Sequence, residues 1–342
     1  MHFDIALAPV SLKQVPDLAR RAEALGAHSL FAAETQHDPF LPLALAAEHT
    51  SNIQLGTAVA IAFARSPMTV AYTAWDLAQL SGGRFILGLG TQVKPHIERR
   101  FGMAWPESPV GKLREFIAAL RAIWKAWETG DRLNFRGEHF KLTLMTPFFN
   151  PGPIPHPKIP IYIAGVNAPL IKLAGEAADG FHVHPYHTRR YLEEVILPNI
   201  EAGAAKAGRS RSEIAIAASA FVAIGEDEAA PAALHAMREA MRSQIAFYAS
   251  TPTYRPVMSL HGWEAQAETL TALAAKGGWG EMPAIITDEM LAEFLVEGTW
   301  DDIGGKLRAR YEGLVDHFAI YLPFTPDEVD ANWAKVAGTI RA

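Results

Sequence analysis

Residues 82–93 read Gly-Gly-Arg-Phe-Ile-Leu-Gly-Leu-Gly-Thr-Gln-Val, an apolar run that ends abruptly in glycines and polar residues. Phe85 to Leu89 is too short and too apolar for a surface helix, and Ser81-Gly82-Gly83 closes the helix before it. The stretch therefore predicts a buried parallel strand. A strand with no polar face needs cover on both sides, and in the folds that provide it ligands bind where the strands end. Glycines at such an end let a ligand approach the backbone, and Thr91 and Gln92 offer hydrogen-bonding groups. The plain alternative is a tight turn packed under a helix, so the rest of the chain decides.

Working outward, strand-like and helix-like segments alternate. Strands are expected at Phe3–Leu7, Ser29–Ala33, Ile53–Ile61, Arg84–Leu89, Ile159–Ala164, Gly180–His184, Ile214–Ile224 and His317–Leu322. Between them fall helices at Leu12–Leu25, closed by Gly26, and at Pro42–His49, Met68–Leu80 and Leu113–Trp127, with others near 168–177, 188–207, 231–249 and 327–340. Strict alternation with eight strands, and no linker or antiparallel edge, predicts one α/β domain over residues 1–342, a closed (β/α)8 TIM barrel. Residues 129–160 and 250–312 exceed a simple connection and are expected as insertions over the C-terminal face. Phe140, Pro147, Phe148 and Phe149 in the first, and Tyr254, Trp263, Trp279 and Trp300 in the second, give them apolar area to pack down. The 250–300 part, with His261 as well, is expected to form a lid on the substrate side.

Of the 342 residues 49% are hydrophobic, ample for such a core, and the formal charge is −6. No basic cluster marks a nucleic-acid partner, so the expected ligand is a small molecule. There is no cysteine, which excludes disulfides, thiolate metal sites and a cysteine nucleophile. The N-terminus lacks a basic leader and no apolar run reaches membrane-spanning length, so a soluble cytoplasmic protein is expected.

On a barrel the chemistry sits just after each strand. After the second strand, Glu34-Thr35-Gln36-His37-Asp38-Pro39 gathers an acid, a hydroxyl, an amide and an imidazole. This set can move a proton or hydrogen-bond a carbonyl, or it can simply cap the next helix. After the third strand comes Gly56-Thr57-Ala58-Val59-Ala60, with Arg65-Ser66-Pro67 opening a helix. Gly165, Val166, Asn167 and Ala168 lie at a helix start, where free N–H groups suit a phosphate. The dinucleotide glycine fingerprint is absent, which disfavours nicotinamide, and no GxSxG elbow supports hydrolysis. His182, His184 and His187 invite a metal, but nothing fixes a third ligand and Pro185 breaks the strand; no metal is expected.

Ala33-Glu34-Thr35-Gln36-His37-Asp38-Pro39-Phe40, Leu55-Gly56-Thr57-Ala58-Val59, Arg84 through Thr91, and Ile163-Ala164-Gly165 through Asp179-Gly180, in this order and spacing, resemble the luciferase-like monooxygenase superfamily. Within it the chain is most similar to the coenzyme F420-dependent oxidoreductases. The match spans most of residues 1–185. It implies the same (β/α)8 barrel and places Ala58, Val59 and Ala60 against the cofactor ring, where the deazaflavin enzymes carry a non-prolyl cis peptide. Thr91, Gln92 and Val93 fall beside the cofactor, and Gly165 to Ala168 on its phosphate. The ring-facing histidine after strand two maps to Thr35 when Glu34 is aligned and to His37 when the imidazole is. Glu34, Thr35 and His37 are thus the catalytic candidates. Where the sugar-phosphate dehydrogenases of the family have a Glu after the fourth strand, this chain has Gln92-Val93, which argues against alcohol oxidation by that acid.

The resemblance implies hydride transfer between C5 of F420 and a largely apolar, carbonyl-like or unsaturated molecule, by a homodimer if family habit holds. One rival is an FMN-dependent monooxygenase on the same barrel. Another is a non-catalytic flavin-binding barrel.

Overall fold

Eight parallel strands close on themselves in the computed structural model, which describes residues 1–225 and 231–341. They are β1 (His2–Ala6), β2 (Ser29–Ala32), β3 (Gln54–Thr57), β4 (Phe85–Gly90), β5 (Ile161–Gly165), β6 (Gly180–Val183), β7 (Ala215–Gly225) and β8 (His317–Ile320). Each pairs with the next, and β8 returns to β1 with His317 opposite His2. The expected (β/α)8 barrel is thus the fold.

Alternation along each strand sorts the side chains. Phe3, Ile5, Leu30, Leu55, Phe85, Leu87, Ile161 and Ile163 point outward into one continuous core beneath the helices. Burying each such side chain stabilises the fold by roughly 1.5–3 kcal/mol. Inside, Phe31, Ile86, Tyr162 and Ala217 form a separate plug across the lower barrel. The helix Val15–Ala24 lays Val15, Leu18, Ala19 and Ala22 on the sheet. It is clasped to the last helix, Asp330–Arg341, where the Arg21 guanidinium donates to Asp330 at 2.7 Å and Arg341 donates to the Gly26 carbonyl at 2.9 Å. No helix among the described residues is long and apolar enough to cross a membrane.

The third strand departs from its expected span. Pairing with β4 runs Leu55 to Phe85 and Gly56 to Ile86, stops, and resumes at Ala60 to Leu89 and Ile61 to Gly90. Four steps on one strand oppose three on the other, so one residue bulges out. The Thr57 side chain fills the gap: its hydroxyl accepts from the Gly88 N–H at 2.9 Å and donates to the Gly88 carbonyl at 2.6 Å. The Ala58–Val59 peptide within the bulge is cis. Gly88 allows this approach because any Cβ there would run into the Thr57 carbonyl.

Other spans also differ. Upper β7 leaves the barrel, and Phe221–Gly225 pairs with a short strand at Leu295–Thr299. The 188–207 helix carries a π-turn at Leu192–Ile196, ahead of Pro198. In the 129–160 excursion, a small hairpin pairs Phe135 with Leu142, and Phe140 packs on Phe116. Phe148 and Phe149 do not pack down. Both remain exposed, because the loop is held through its backbone: the Tyr72 hydroxyl donates to the Phe149 carbonyl and the Trp75 indole to that of Gly152.

Gly88→Ala is expected to cost on the order of 3 kcal/mol or more, since the rigid Thr57 backbone cannot yield. Gly280→Ala, with nothing within 4 Å of the added carbon, serves as the reference. Urea unfolding of both variants checks this; equal midpoints contradict the close approach.

Candidate active site

Small side chains at the C-terminal strand ends open the upper barrel. Ala6, Ala33, Ala58, Ala164 and Ala319 stand where larger residues would meet, leaving a cavity of about 920 Å³. Its floor is His182, edge-on to Phe31 at 5.1 Å, and its outer walls include Leu7, Leu12, Leu41 and Leu322. Among the described residues, no Lys or Arg lines it, and the two carboxylates that do are paired elsewhere: Asp4 is 3.2 Å from buried His317, and Asp38 is 3.1 Å from Arg65.

The segment after β2 is fixed at several points. Glu34 accepts from the Ile61 N–H at 2.7 Å and from Arg65 at 2.5 Å, with its carboxylate buried, so it ties this segment to the strand beyond the bulge. Asp38 accepts from the N–H groups of Phe40 and Leu41 and thereby caps the helix Phe40–His49. Arg100 donates to the Thr35 carbonyl at 2.7 Å. Thr35 and His37, held between these anchors, line the cavity with their side chains exposed, whereas Glu34 is absent from the lining. The same holds for Ala60, which is fully buried in the core outside the barrel, because the bulge returns the strand to its ordinary alternation.

Around the rim, Ala58 and Val59 face the cavity. Thr91, Gln92, Val93 and Gly165 to Ala168 stand at the ends of the adjacent strands, outside its lining. Gln92 has a positive φ of 60°, and its side chain accepts from the Val93 N–H, while the Thr91 hydroxyl donates to the Gln92 carbonyl. Asn167 caps the helix Ala168–Ala177 through the Leu170 N–H. No acceptor among the described residues meets the N–H groups of Val166, Asn167 or Ala168. Gly165 has a structural duty as well: a Cβ there would lie 2.5 Å from that of Leu170, so Gly165→Val would displace the helix start and not merely crowd an anion.

The wall under β6 and β8 is aromatic. His184 Nδ1 accepts from the Tyr186 N–H at 3.1 Å and its Nε2 meets the Tyr254 hydroxyl at 3.1 Å; Tyr248 and Tyr321 join hydroxyls at 3.0 Å. His187 turns away to the His184 carbonyl and packs against Tyr311. The three histidines do not converge, and the described residues contain no group of three or more His, Asp or Glu able to hold a metal ion.

The expected lid is corrected here. No residue of 250–312 lines the cavity. Tyr254 buttresses His184 from behind, His261 bonds Thr188 and stacks on Trp263, Trp279 lies exposed near Phe247, and Trp300 packs toward Trp333. Pairing of Leu295–Thr299 with upper β7 anchors the segment beside the barrel. The cavity-lining Tyr321, its partner Tyr248 and the segment Ala6–Leu12 were missed by sequence reasoning. For Ala6–Leu12 the signal was the pair of small residues, Ala6 and Ala8, at alternate positions where β1 ends.

The sequence pattern of the luciferase-like monooxygenase family matches residues 2–317. An uncharacterised protein of Mycobacterium tuberculosis is 48% identical over 308 residues, 90% of this chain and 89% of its own length. The 5,10-methylenetetrahydromethanopterin reductase of Archaeoglobus fulgidus is 31% identical over 84% of this chain and 82% of its own. Among solved structures, coenzyme F420-dependent tetrahydromethanopterin reductase from Methanopyrus kandleri superposes with a TM-score of 0.78 at 24% identity, covering 99% and 98% of the two chains. The oxygenating constituent of 3,6-diketocamphane monooxygenase from Pseudomonas putida, in complex with FMN, gives 0.69 at 18% identity, covering 99% and 96%. The chain belongs to the luciferase-like monooxygenase family, and the relatives above that carry a named activity are reductases and a monooxygenase.

Burial is the main cause that lowers the pKa of His182 and His184 from 6.5 to about 3 and that of His187 to about 4. A folded pKa below the unfolded one gives stability that is complete above pH 6.5 and lost as pH falls toward the folded value. The loss is about 1.4 kcal/mol per pH unit for each group. His317 runs the other way: burial lowers it, but the hydrogen bond and charge of Asp4 outweigh that and raise it. Its contribution is complete below 6.5 and fades on the alkaline side, so it does not offset the acid loss. Urea midpoints should therefore fall steeply from pH 6.5 to 4.5, and His187→Asn should make the slope shallower by about one proton. A flat profile contradicts neutral burial of these imidazoles.

Proposed function

We propose that the protein is an F420-dependent oxidoreductase that moves a hydride between the deazaflavin and an uncharged, largely apolar small molecule. The observation that carries this reading is the division of the strand ends. An apolar chamber with no Lys or Arg among its described lining residues takes in Ala58, Val59 and Ala164, and a row of unpaired amides at Val166–Ala168 follows just outside that lining. A flat apolar ring with a phosphate-bearing arm fits that pair of surfaces. A Mycobacterium tuberculosis relative named as a putative coenzyme F420-dependent oxidoreductase, 30% identical over 84% of each chain, supports F420 over other cofactors.

When bound, the deazaflavin supplies a carbon centre that donates or accepts a hydride and does not activate oxygen. The chain's own residues do the rest. Ala58 and Val59 back the ring, Thr91 to Val93 flank it, and the amides of Val166 to Ala168 hold the phosphate at a helix start. His37, exposed to the cavity and fixed by its anchored loop, holds or releases a proton at the substrate, with Thr35 beside it. Glu34 acts through Arg65 as a positioning residue. An FMN-dependent monooxygenase is the second reading, favoured by the diketocamphane monooxygenase likeness in fold.

Titration of the purified apo-protein should show F420 binding at least tenfold tighter than FMN, about 1.4 kcal/mol. Tighter FMN binding together with substrate-dependent oxygen uptake moves the chain to the monooxygenases. The phosphate assignment is tested by Ala168→Pro, which removes one free N–H at the first helical position, where proline is tolerated and the extended Asn167 suits it. F420 affinity should fall by about tenfold or more, the worth of a hydrogen bond to a charged group. Binding of a deazaflavin that lacks the phosphate should be unchanged; equal losses for both compounds place the phosphate elsewhere.

A further inference from the structure

The proton inventory of the aromatic wall is uneven. His184 Nδ1 accepts from the Tyr186 N–H, so in the neutral imidazole the hydrogen sits on Nε2 and is donated to the Tyr254 oxygen. The hydroxyl hydrogen of Tyr254 is then not used by His184. In the second pair the Tyr248 and Tyr321 hydroxyls meet at 3.0 Å, and either can be the donor. With Tyr248 donating, the hydrogen left over belongs to Tyr321, the residue of the set that directly follows β8 and lines the cavity.

We propose that the Tyr321 hydroxyl, primed by Tyr248, is the donor that receives the oxygen of an uncharged carbonyl substrate. Three features of the chamber define that substrate class. The donors around it are neutral: burial raises the Tyr248 pKa and holds His184 uncharged. No Lys or Arg among the described residues lines the cavity to compensate a carboxylate or phosphate on the substrate. The walls opposite, formed by Leu7, Leu12, Leu41 and Leu322, suit a hydrocarbon skeleton. A single neutral oxygen at one end of an apolar body satisfies all three, whereas an anion would be stripped of water without a partner.

The inference deepens the proposed function and rests on it for the reaction, but its test needs no cofactor. The probe is 2-cyclohexen-1-one carrying 13C at the carbonyl, with methylcyclohexene and benzoate as companions of similar size. The apo-protein should bind the ketone, with its carbonyl resonance moved downfield, and should bind benzoate at least tenfold more weakly. In Tyr321→Phe the downfield shift should vanish and ketone affinity should drop by about tenfold, the worth of one hydrogen bond, while methylcyclohexene binds as before. Tyr248→Phe should give a smaller loss of the same kind. Loss of hydrocarbon binding as well would mean that Tyr321 only shapes the cavity, and an unchanged carbonyl shift or tighter binding of benzoate would also overturn the proposal. Failure of F420 to bind, with the ketone results intact, would instead remove the cofactor reading and leave this subsite standing.

Discussion

The contact between the Thr57 hydroxyl and the backbone of Gly88 governs the upper barrel. A β-ladder that loses step by one residue leaves an unpaired N–H and C=O in a buried place, which is costly unless another group supplies both bonds. One hydroxyl does so here, as acceptor and donor to the same residue. With the ladder repaired, Ala58 and Val59 can turn toward the cavity while Ala60 resumes its place in the outer core. Glu34 reinforces the arrangement from the neighbouring strand: its N–H donates to the Val59 carbonyl and its carboxylate takes the Ile61 N–H. The bulge, the loop that carries Thr35 and His37, and the chamber are therefore one mechanical unit.

Glu34 illustrates how chemistry and support divide along a short motif. Sequence reading groups it with Thr35 and His37, because an acid beside an imidazole can serve catalysis. The fold separates them by one residue's turn of the chain. Glu34 faces inward to Arg65, while Thr35 and His37 face the cavity. Asp38 divides likewise, acting as helix cap and partner of Arg65.

The barrel was legible in the sequence because strand spacing and apolar runs are local signals, and each strand's outer face had to meet helices. The bulge was visible only through resemblance, since nothing in Thr57-Ala58-Val59 announces a ladder out of step. The chamber was harder still. It arises from alanines that are unremarkable one by one and meaningful only when five strands bring their ends together. The position of 250–312 was missed because its aromatic content is equally suited to covering a site or to buttressing one. The pairing of Leu295–Thr299 with upper β7, which decides between them, joins residues some seventy apart.

That pairing also makes β7 a strand with two allegiances. Its lower half closes the barrel against β6 and β8, and its upper half begins a second, outer ribbon. The chain between Gly225 and Leu295 thus departs from and returns to neighbouring points on the same rigid rail. Because a loop's closing entropy grows only slowly with its length, material within this bracket can be lengthened, shortened or replaced with little consequence for barrel closure. The bracket offers the fold a place where the wall behind His184 can be remodelled while the bulge after β3, across the barrel, stays as it is.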